Sequence, residues 1–269
     1  QYAIFGKKLT KFADETNIPY PTPMRQPTIE KWKQALAIVA RPEKVKILQS
    51  FFKTGTGEYA EGDIMIGVSV PDNRAIAHEY SEADDATITE MLRSPIHEHR
   101  LSGLLAMVRA YERTKDTDRR THIINMYIAH ADCCNNWDLV DLSAPKLLGP
   151  ELAAGRYIAE HASLSGAESM WRRRIAIVST LHLVMKHRRI TEAIAECDRH
   201  AGAPEPLIQK AVGWIMREVG KKDACALLDW LDRNIGIISA TTLSYATEKL
   251  EKTERRHWQQ RRKESQIKI

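Results

Sequence analysis

The chain is poor in the residues that build turns and disulfide frameworks. Its 269 residues include 13 glycines, 11 prolines and 4 cysteines. So few glycines and prolines argue against an all-β fold, which needs many tight turns. The four cysteines form neither a CxxC pair nor a regular framework, so we expect reduced thiols in a cytoplasmic protein. They are Cys133, Cys134, Cys197 and Cys225.

Long hydrophobic runs are missing as well. No apolar stretch reaches the roughly 18 residues that a membrane-spanning helix needs, and no secretory signal pattern occurs. We therefore expect no membrane-spanning segment. Metal-ligand residue types cluster at His130, Asp132, Cys133 and Cys134. Their spacing fits no common zinc pattern, so the sequence predicts no metal centre there.

Basic residues exceed acidic ones by a small margin. The chain has 40 lysines and arginines against 35 aspartates and glutamates, a formal net charge of +5. Because the excess is small, local clusters matter more than the total. The clusters lie at 172–174, 186–189, 221–222, 255–256 and 261–263. They favour a polyanionic partner, although a single cluster is more often a solvated helix face.

Helical patterns follow one another from residue 28 to the C-terminus. Residues 1–27 lack the pattern and carry Pro21, Pro23 and Pro27, so we expect an N-terminal arm or cap there. The rest, 28–269, is predicted to be one all-α domain that ends in a basic helix over 239–269. The other predicted helices cover 29–39, 43–52, 72–80, 85–92, 95–113, 118–131, 136–144, 150–161, 166–187, 191–200, 205–219 and 223–234.

The spacing of three tryptophans suggests a repeated unit. Trp137, Trp171 and Trp214 lie 34 and 43 residues apart, in the range of HEAT or armadillo repeats. Short, numerous helices also favour an α-solenoid of HEAT-like repeats, with a concave basic surface, over a four-helix bundle. Trp32 and Trp230 sit within apolar patterns and are expected in the core, and Trp171 is expected to pack.

The segment 53–63 (KTGTGEYAEGD) interrupts the helices. It superficially resembles a phosphate-binding loop, but it lacks the GK[ST] ending and does not lead straight into a helix. We therefore expect a flexible connector. The short apolar run 64–70 that follows is compatible with a helix or with a strand.

One predicted helix displays an aromatic ring and a carboxylate together. Trp137 and Asp141 are four residues apart and share a face. Leu139 and Leu142 point well away from them and are expected to face the core. An indole beside an anion suits a flat cationic ligand. The alternative is that Trp137 packs against a neighbouring helix and Asp141 is solvated.

An arginine inside an apolar stripe is a second candidate. Arg174 falls within the stripe of the helix predicted over 166–187. Burying a guanidinium is costly unless a carboxylate, a backbone carbonyl or a phosphate meets it, so Arg174 requires a partner. That partner is either a structural ion pair between repeats or a ligand. The stripe consists of Met170, Ile177, Val178, Leu181, Val184 and Met185.

Trp214 is a third candidate. It lies off the core row of the helix predicted over 205–219, with Arg217 three residues later on its own side. Two displayed indoles, one carboxylate and a basic surface suggest a ligand that is a planar cationic group on a polyanion. The core row consists of Val212, Ile215, Met216 and Val219.

Six motifs in order resemble the DNA alkylation repair family, whose AlkD-like members are HEAT-repeat alkylpurine DNA glycosylases. The resemblance covers about residues 45–235. Several motifs in the right order are far more specific than one short match. The motifs are FFKTGTGEYAEGD (51–63), GVSVPDNRAIA (67–77), PIHEHRLSGLLAMV (95–108), NNWDLVDLSAPKLLG (135–149), WRRRIAIVST (171–180) and IQKAVGWIMREVGKKD (208–223).

The resemblance implies removal of positively charged alkylpurines, such as N3-methyladenine and N7-methylguanine, from double-stranded DNA. It places the catalytic aspartate on Asp141, with Trp137 as its aromatic neighbour. Substrate and DNA contacts fall on Trp214, Arg174 and Arg217, with Arg174 holding a phosphate. The family pattern implies no cofactor and no catalytic lysine, so a monofunctional, monomeric enzyme that leaves an abasic site is expected.

Two other functions remain open on the sequence. One is a non-catalytic helical-repeat module that binds damaged or branched DNA, and the other is a protein-binding scaffold. Basic patches with displayed aromatic residues favour DNA over protein. Asp141 beside Trp137 favours an enzyme over a plain DNA-binding module.

Overall fold

The structure, a computed structural model, describes residues 28–267, and the predicted arm over 1–27 lies outside the described residues. Within this range the chain is an all-α solenoid, as predicted, with fourteen α-helices and no strand apart from an isolated bridge between Ile64 and Ile96. The helices are α1 Ile29–Ile38, α2 Pro42–Phe52, α3 Val70–Glu79, α4 Asp85–Leu92, α5 His97–Arg113, α6 Thr117–Ala129, α7 Trp137–Ala153, α8 Ile158–Ser165, α9 Met170–Ser179, α10 Ile190–Arg199, α11 Pro206–Gly220, α12 Ala224–Asn234, α13 Ala240–Ala246 and α14 Lys252–Ile267.

The helices form two layers. The odd-numbered helices from α3 to α13 contact one another in succession and make one continuous row. The even-numbered helices from α4 to α12 pack against their odd-numbered neighbours and make a second layer. Such neighbour-to-neighbour contacts distinguish a solenoid from a four-helix bundle. All five predicted site residues lie on the odd-numbered row.

Short polar side chains set the start of many helices. A side-chain oxygen before the first turn accepts a hydrogen bond from a backbone N–H that has no partner within the helix. Thr28 and Asp84 do this directly before the helices that were predicted to start at 29 and 85. The other helices that start in this way are α3, α6, α7, α12 and α13, with Ser69, Asp116, Asn136, Asp223 and Ser239.

Two glycines allow the odd-numbered helices to approach closely. A Cβ at Gly149 on α7 would lie 2.5 Å from the Cβ of His182, beyond the end of α9. A Cβ at Gly213 on α11 would lie 2.5 Å from the Cβ of Tyr245 on α13. Real Cβ atoms do not approach so closely, so both contacts require a residue without a side chain.

The core contains the tryptophans that the sequence assigned to it. Trp32 and Trp230 are fully buried, which confirms both predictions. The Trp32 ring stacks on Tyr80 with centroids 4.8 Å apart, and its indole N–H donates to the Ser102 hydroxyl at 2.8 Å. Trp258 is also buried, and the Arg261 guanidinium lies over its ring at 4.9 Å.

The helix α7 is longer than predicted. It runs through Pro145 and Pro150 to Ala153, whereas the sequence suggested one helix over 136–144 and another over 150–161. Each proline removes one backbone hydrogen bond, but neither proline is fully buried, so water can reach the helix near them. The buried residues Val140, Ala144, Leu147, Leu148 and Leu152 pack α7 into the core.

Two other predicted helices are broken. The helix expected over 166–187 ends at Ser179, and a π-helical turn, Leu183–His187, follows. Met185 is 47% exposed, so it does not belong to the buried stripe. The basic helix expected over 239–269 is split into α13 and α14 by a turn over 247–251. After this turn, Trp258 on α14 belongs to the core.

No helix in residues 28–267 combines the length and the apolarity that crossing a membrane requires.

Candidate functional site

A cleft of about 890 Å³ opens on the row of odd-numbered helices. All five residues selected from the sequence line it: Trp137, Asp141, Arg174, Trp214 and Arg217. They come from α7, α9 and α11, three successive members of the row. The tertiary structure therefore brings together residues that the sequence placed only on separate helices.

The Asp141 carboxylate forms an ion pair with Arg174 between α7 and α9. The Arg174 Nη2 lies 2.8 and 2.9 Å from the two carboxylate oxygens, and Nε lies 3.2 Å from Oδ1. The Nη1 donates to the Leu207 carbonyl at 2.5 Å. The partner that Arg174 requires is therefore Asp141. All three guanidinium nitrogens are engaged, and the predicted phosphate contact stays a prediction.

The pair lies at the boundary between protein and cleft. The Arg174 side chain is 5% exposed, whereas the Asp141 side chain is 18% exposed. Burial raises the pKa of Asp141, and the positive charge of Arg174 opposes that rise without cancelling it. A carboxylate with a raised pKa accepts a proton more readily than an ordinary aspartate, as a general base requires.

Aromatic rings hold Trp137 at the start of α7. The ring of Phe52 stacks on Trp137 with centroids 5.4 Å apart, and Phe51 meets it edge-on at 5.6 Å. The Asn136 side chain accepts a hydrogen bond from the Trp137 backbone N–H at 2.8 Å. The indole is half-buried and still lines the cleft, so Trp137 both packs and remains accessible.

The opposite wall of the cleft comes from α11 and α13. Trp214 is half-buried, and Tyr245 from α13 lies beside it in the lining. Arg217 forms ion pairs with Glu248 and Glu218, so it also links α11 to the turn after α13. Lys210, one helical turn before Trp214, adds a positive charge to this wall.

The segment 53–63 forms a wall of the cleft, so its prediction as a flexible connector missed its place in the candidate site. Its backbone is held by hydrogen bonds from the N–H of Gly55 to the Glu58 carboxylate at 2.9 Å and from Ala60 to the Lys53 carbonyl at 3.1 Å. Tyr59 lines the cleft, and its ring meets Trp171 edge-on at 5.8 Å. The feature of the sequence that could have indicated this position is Tyr59, a single aromatic residue in a segment that contains glycines.

Comparison with known proteins decides the family. The family model described as DNA alkylation repair enzyme matches residues 32–250. The chain belongs to this family. Membership supports a role in the repair of alkylation damage to DNA. No functionally curated protein matches the chain.

A solved structure has an architecture similar to that of this member of the DNA alkylation repair family. The structure is described as a predicted DNA alkylation repair enzyme from Enterococcus faecalis. It superimposes with a TM-score of 0.58 at 16% sequence identity, over 79% of this chain and 97% of that chain. At this low identity, the similarity supports the fold alone.

A buried polar network lies behind the cleft, and the sequence analysis did not find it. His97 contacts the Asp138 carboxylate through Nε2 at 2.9 Å and the Asp63 carboxylate through Nδ1 at 3.4 Å. Arg100 donates to Asp63 at 2.7 Å and to the Asn135 side chain at 2.8 Å. The sequence feature that could have indicated this network is the run of histidine and charged residues over 97–100, at the start of a mostly apolar helix.

Hydrogen bonds within the network shift the pKa of its members. Burial alone would lower the pKa of His97, but Asp138 and Asp63 raise it to about 9. Burial would raise the pKa of Asp63, but His97, Arg100 and Asn135 outweigh burial and lower it. The shifts favour the charged forms of His97 and Asp63 at neutral pH.

Basic side chains continue along the row beyond the cleft. Arg74 on α3, Arg109 on α5 and Lys146 on α7 form no ion pair with any residue that the structure describes. Burial lowers the pKa of His78, the charges of Arg109, Arg74 and Lys146 lower it further, and the charge of Glu112 partly opposes this. These basic groups therefore lie near one another and offer a surface for an anionic partner.

Within residues 28–267, no group of three or more His, Cys, Asp or Glu side chains is arranged to hold a metal ion.

Proposed function

We propose that this protein is a monofunctional DNA glycosylase that excises positively charged alkylpurines, including N3-methyladenine and N7-methylguanine, from double-stranded DNA in base excision repair. The observation that carries the proposal is the Asp141 carboxylate, which Arg174 orients at the boundary of a cleft between Trp137 and Trp214. Family membership supports a role in alkylation damage repair, and the cleft supports this finer activity.

The chemistry needs a fixed anion more than a strong acid. Alkylation gives the purine a positive charge, so the C1′–N bond can break with both electrons leaving on the base. Positive charge then develops on the deoxyribose, and a preorganised carboxylate stabilises it. A water oxygen bonds to C1′, and Asp141 accepts the water proton before it passes to solvent. The products are the free neutral base and an abasic site.

Arg174 and the two tryptophans have separate tasks in this proposal. Arg174 fixes the orientation of Asp141 because two of its nitrogens, Nε and Nη2, contact the same carboxylate, a fork geometry that only a guanidinium provides. Trp137 and Trp214 pack against the sugar and the backbone around the lesion, where the electron-rich ring faces favour cationic groups. Arg217, which pairs with Glu248 and lines the cleft, is proposed to contact DNA.

The repeated pairs of layered helices are proposed to be HEAT-like repeats, and the row of odd-numbered helices is proposed to be the DNA-binding face. Arg74, Arg109 and Lys146 lie on three successive helices of this row and form no ion pair with a carboxylate in residues 28–267. Lysine and arginine side chains in such a row contact phosphates and position the duplex without reading its sequence.

Asp141→Asn tests the assignment. The amide keeps the size of the side chain but removes its charge, so we expect the rate of N7-methylguanine release to fall by about 10² or more. The measurement is single-turnover release of base from an alkylated duplex. Asp132→Asn is the matched control, because this aspartate pairs with Arg172 on the surface and does not line the cleft.

The products of the same assay separate the alternatives. Intact abasic strands, without a borohydride-trapped adduct, support a monofunctional enzyme, and trapping would assign a nucleophilic role to a cleft lysine, Lys53 or Lys210. Binding of the duplex without any release of base would favour the non-catalytic DNA-binding module. Full activity of Asp141→Asn would contradict the proposed mechanism.

A further inference from the structure

His97 occupies a central place in the buried network but does not line the cleft. Its imidazole contacts the carboxylate of Asp138, the second residue of α7, and that of Asp63, at the end of the segment 53–63. The side chains of His97 and Asp138 are 2% and 5% exposed. His97 therefore ties α5 to the two segments that supply Trp137 and Tyr59 to the cleft.

A stacked set of rings connects His97 to the cleft wall. The Phe52 ring lies 4.9 Å from the His97 ring on one side and 5.4 Å from the Trp137 ring on the other. A shift of the imidazole therefore moves Phe52 as well as the start of α7. Trp137 is the first residue of that helix, and Asp141 lies about one turn later.

We propose that His97, in its protonated form, is a positioning residue for Trp137 and Asp141, and that removal of its proton loosens the cleft and lowers activity. This inference rests on the proposed function. Only the imidazolium donates through both ring nitrogens, so the neutral ring must turn a nitrogen lone pair toward one of the two buried carboxylates. Two buried acceptors that face each other repel, so the contact between His97 and the segment that carries this carboxylate loosens.

The charges around His97 favour the same conclusion. The groups that face it are Asp63 from the segment 53–63, Arg100 from its own helix and Asp138 from α7. With His97 protonated, two positive charges balance two negative ones. With His97 neutral, one negative charge behind the cleft is left uncompensated. The charge of Asp138 contributes to the raised pKa of Asp141, so the charges of the network act on the cleft.

The pH range follows from the direction of the shift. The pKa of His97 is raised to about 9, so the proton is present at neutral pH and is lost as the pH rises through that value. We therefore expect an alkaline limb of activity near pH 9 in addition to an acid limb from Asp141. If His97 had only a structural role, its replacement would change the rate by the same factor at every pH.

The test is the pH dependence of single-turnover base release in His97→Gln, with enzyme-free release subtracted at each pH. We expect a loss of about 10² at neutral pH, as for misplaced catalytic groups, and no alkaline limb near pH 9. His99→Gln is the matched control, since His99 is buried on the same helix but contacts Ser94. It should keep the alkaline limb of the wild-type protein.

A second measurement covers the case in which His97→Gln does not fold. The fluorescence of the wild-type protein, minus that of Trp137→Phe, reports on Trp137 and should show a transition near pH 9. A flat difference, or an alkaline limb that persists in a folded His97→Gln, would overturn the proposal. No base release by the wild-type protein at any pH would instead refute the glycosylase activity, whereas the fluorescence titration would still report on His97.

Discussion

At the scale of single residues, the ion pair between Asp141 and Arg174 is the centre of the proposed chemistry. A buried ion pair is poor evidence for stability, because the desolvation of two charges can exceed their attraction. The Asp141 carboxylate is instead partly exposed, and it lines the same cleft as Trp137 and Trp214. This placement supports a chemical role for Asp141 and an orienting role for Arg174.

The pH dependence of activity tests this division of roles. Base release that needs an ionised Asp141 is present above its raised pKa and is lost as the pH falls through it. Arg174 opposes the rise in that pKa, so Arg174→Gln should move the acid limb of kcat/KM upwards by about 1 pH unit or more. Arg217→Gln, which does not contact Asp141, should leave the limb in place. An acid limb that is unmoved or lower in Arg174→Gln would contradict the assignment.

At the scale of helices, close packing within the odd-numbered row sets the shape of the cleft. Trp214 and Tyr245 line the same wall because Gly213 lets α11 and α13 approach. The backbone carbonyl of Thr242 would lie only 2.7 Å from a Cβ at position 213. A side chain there must therefore push the two helices apart.

Gly213→Ala should destabilise the protein by about 1–3 kcal/mol, the usual cost of forcing an extra methyl group into a packed contact. Urea unfolding monitored by circular dichroism gives the free energy of unfolding. Gly236→Ala is the matched control, because a Cβ at that position meets no atom within 4 Å. Equal stabilities of the two variants would show that the contact between α11 and α13 is looser than described.

At the scale of the whole molecule, the row of helices extends the positive surface well beyond the cleft. Arg74, Arg109 and Lys146 lie on α3, α5 and α7, and the cleft itself is built from α7 to α13. A partner that contacts all of them must be long and anionic, as a DNA duplex is. The net charge of +5 does not reveal that Arg74, Arg109 and Lys146 lie on successive helices of one row.

Salt dependence measures those contacts. Each phosphate contact contributes about 0.9 to the slope of log K against log [salt] for duplex DNA. Arg109→Gln and Lys146→Gln should each weaken binding and reduce the slope by about 1. Arg199→Gln, on α10 in the other layer and paired with Glu196, should leave the slope unchanged. An unchanged slope in all three variants would place the DNA on another surface.

The sequence by itself determined the helical class, several helix starts and the fully buried tryptophans, because these depend on local pattern. Periodicity reports the side of a helix on which a residue lies, and capping depends on a few neighbouring residues. Helical periodicity also identified Asp141, Arg174 and Trp214 as candidate site residues. It failed at α7, where a long buried face overrides Pro145 and Pro150, since packing outweighs local preference.

Only the tertiary structure decided which of these residues meet. Asp141 and Arg174 are 33 residues apart, and His97 lies 34 and 41 residues from its two carboxylate partners. Contacts over such distances depend on how helices pack against one another, which local patterns do not encode. The segment 53–63 became a wall of the cleft for the same reason: its position follows from the elements it touches, whereas its own composition indicates only a loop.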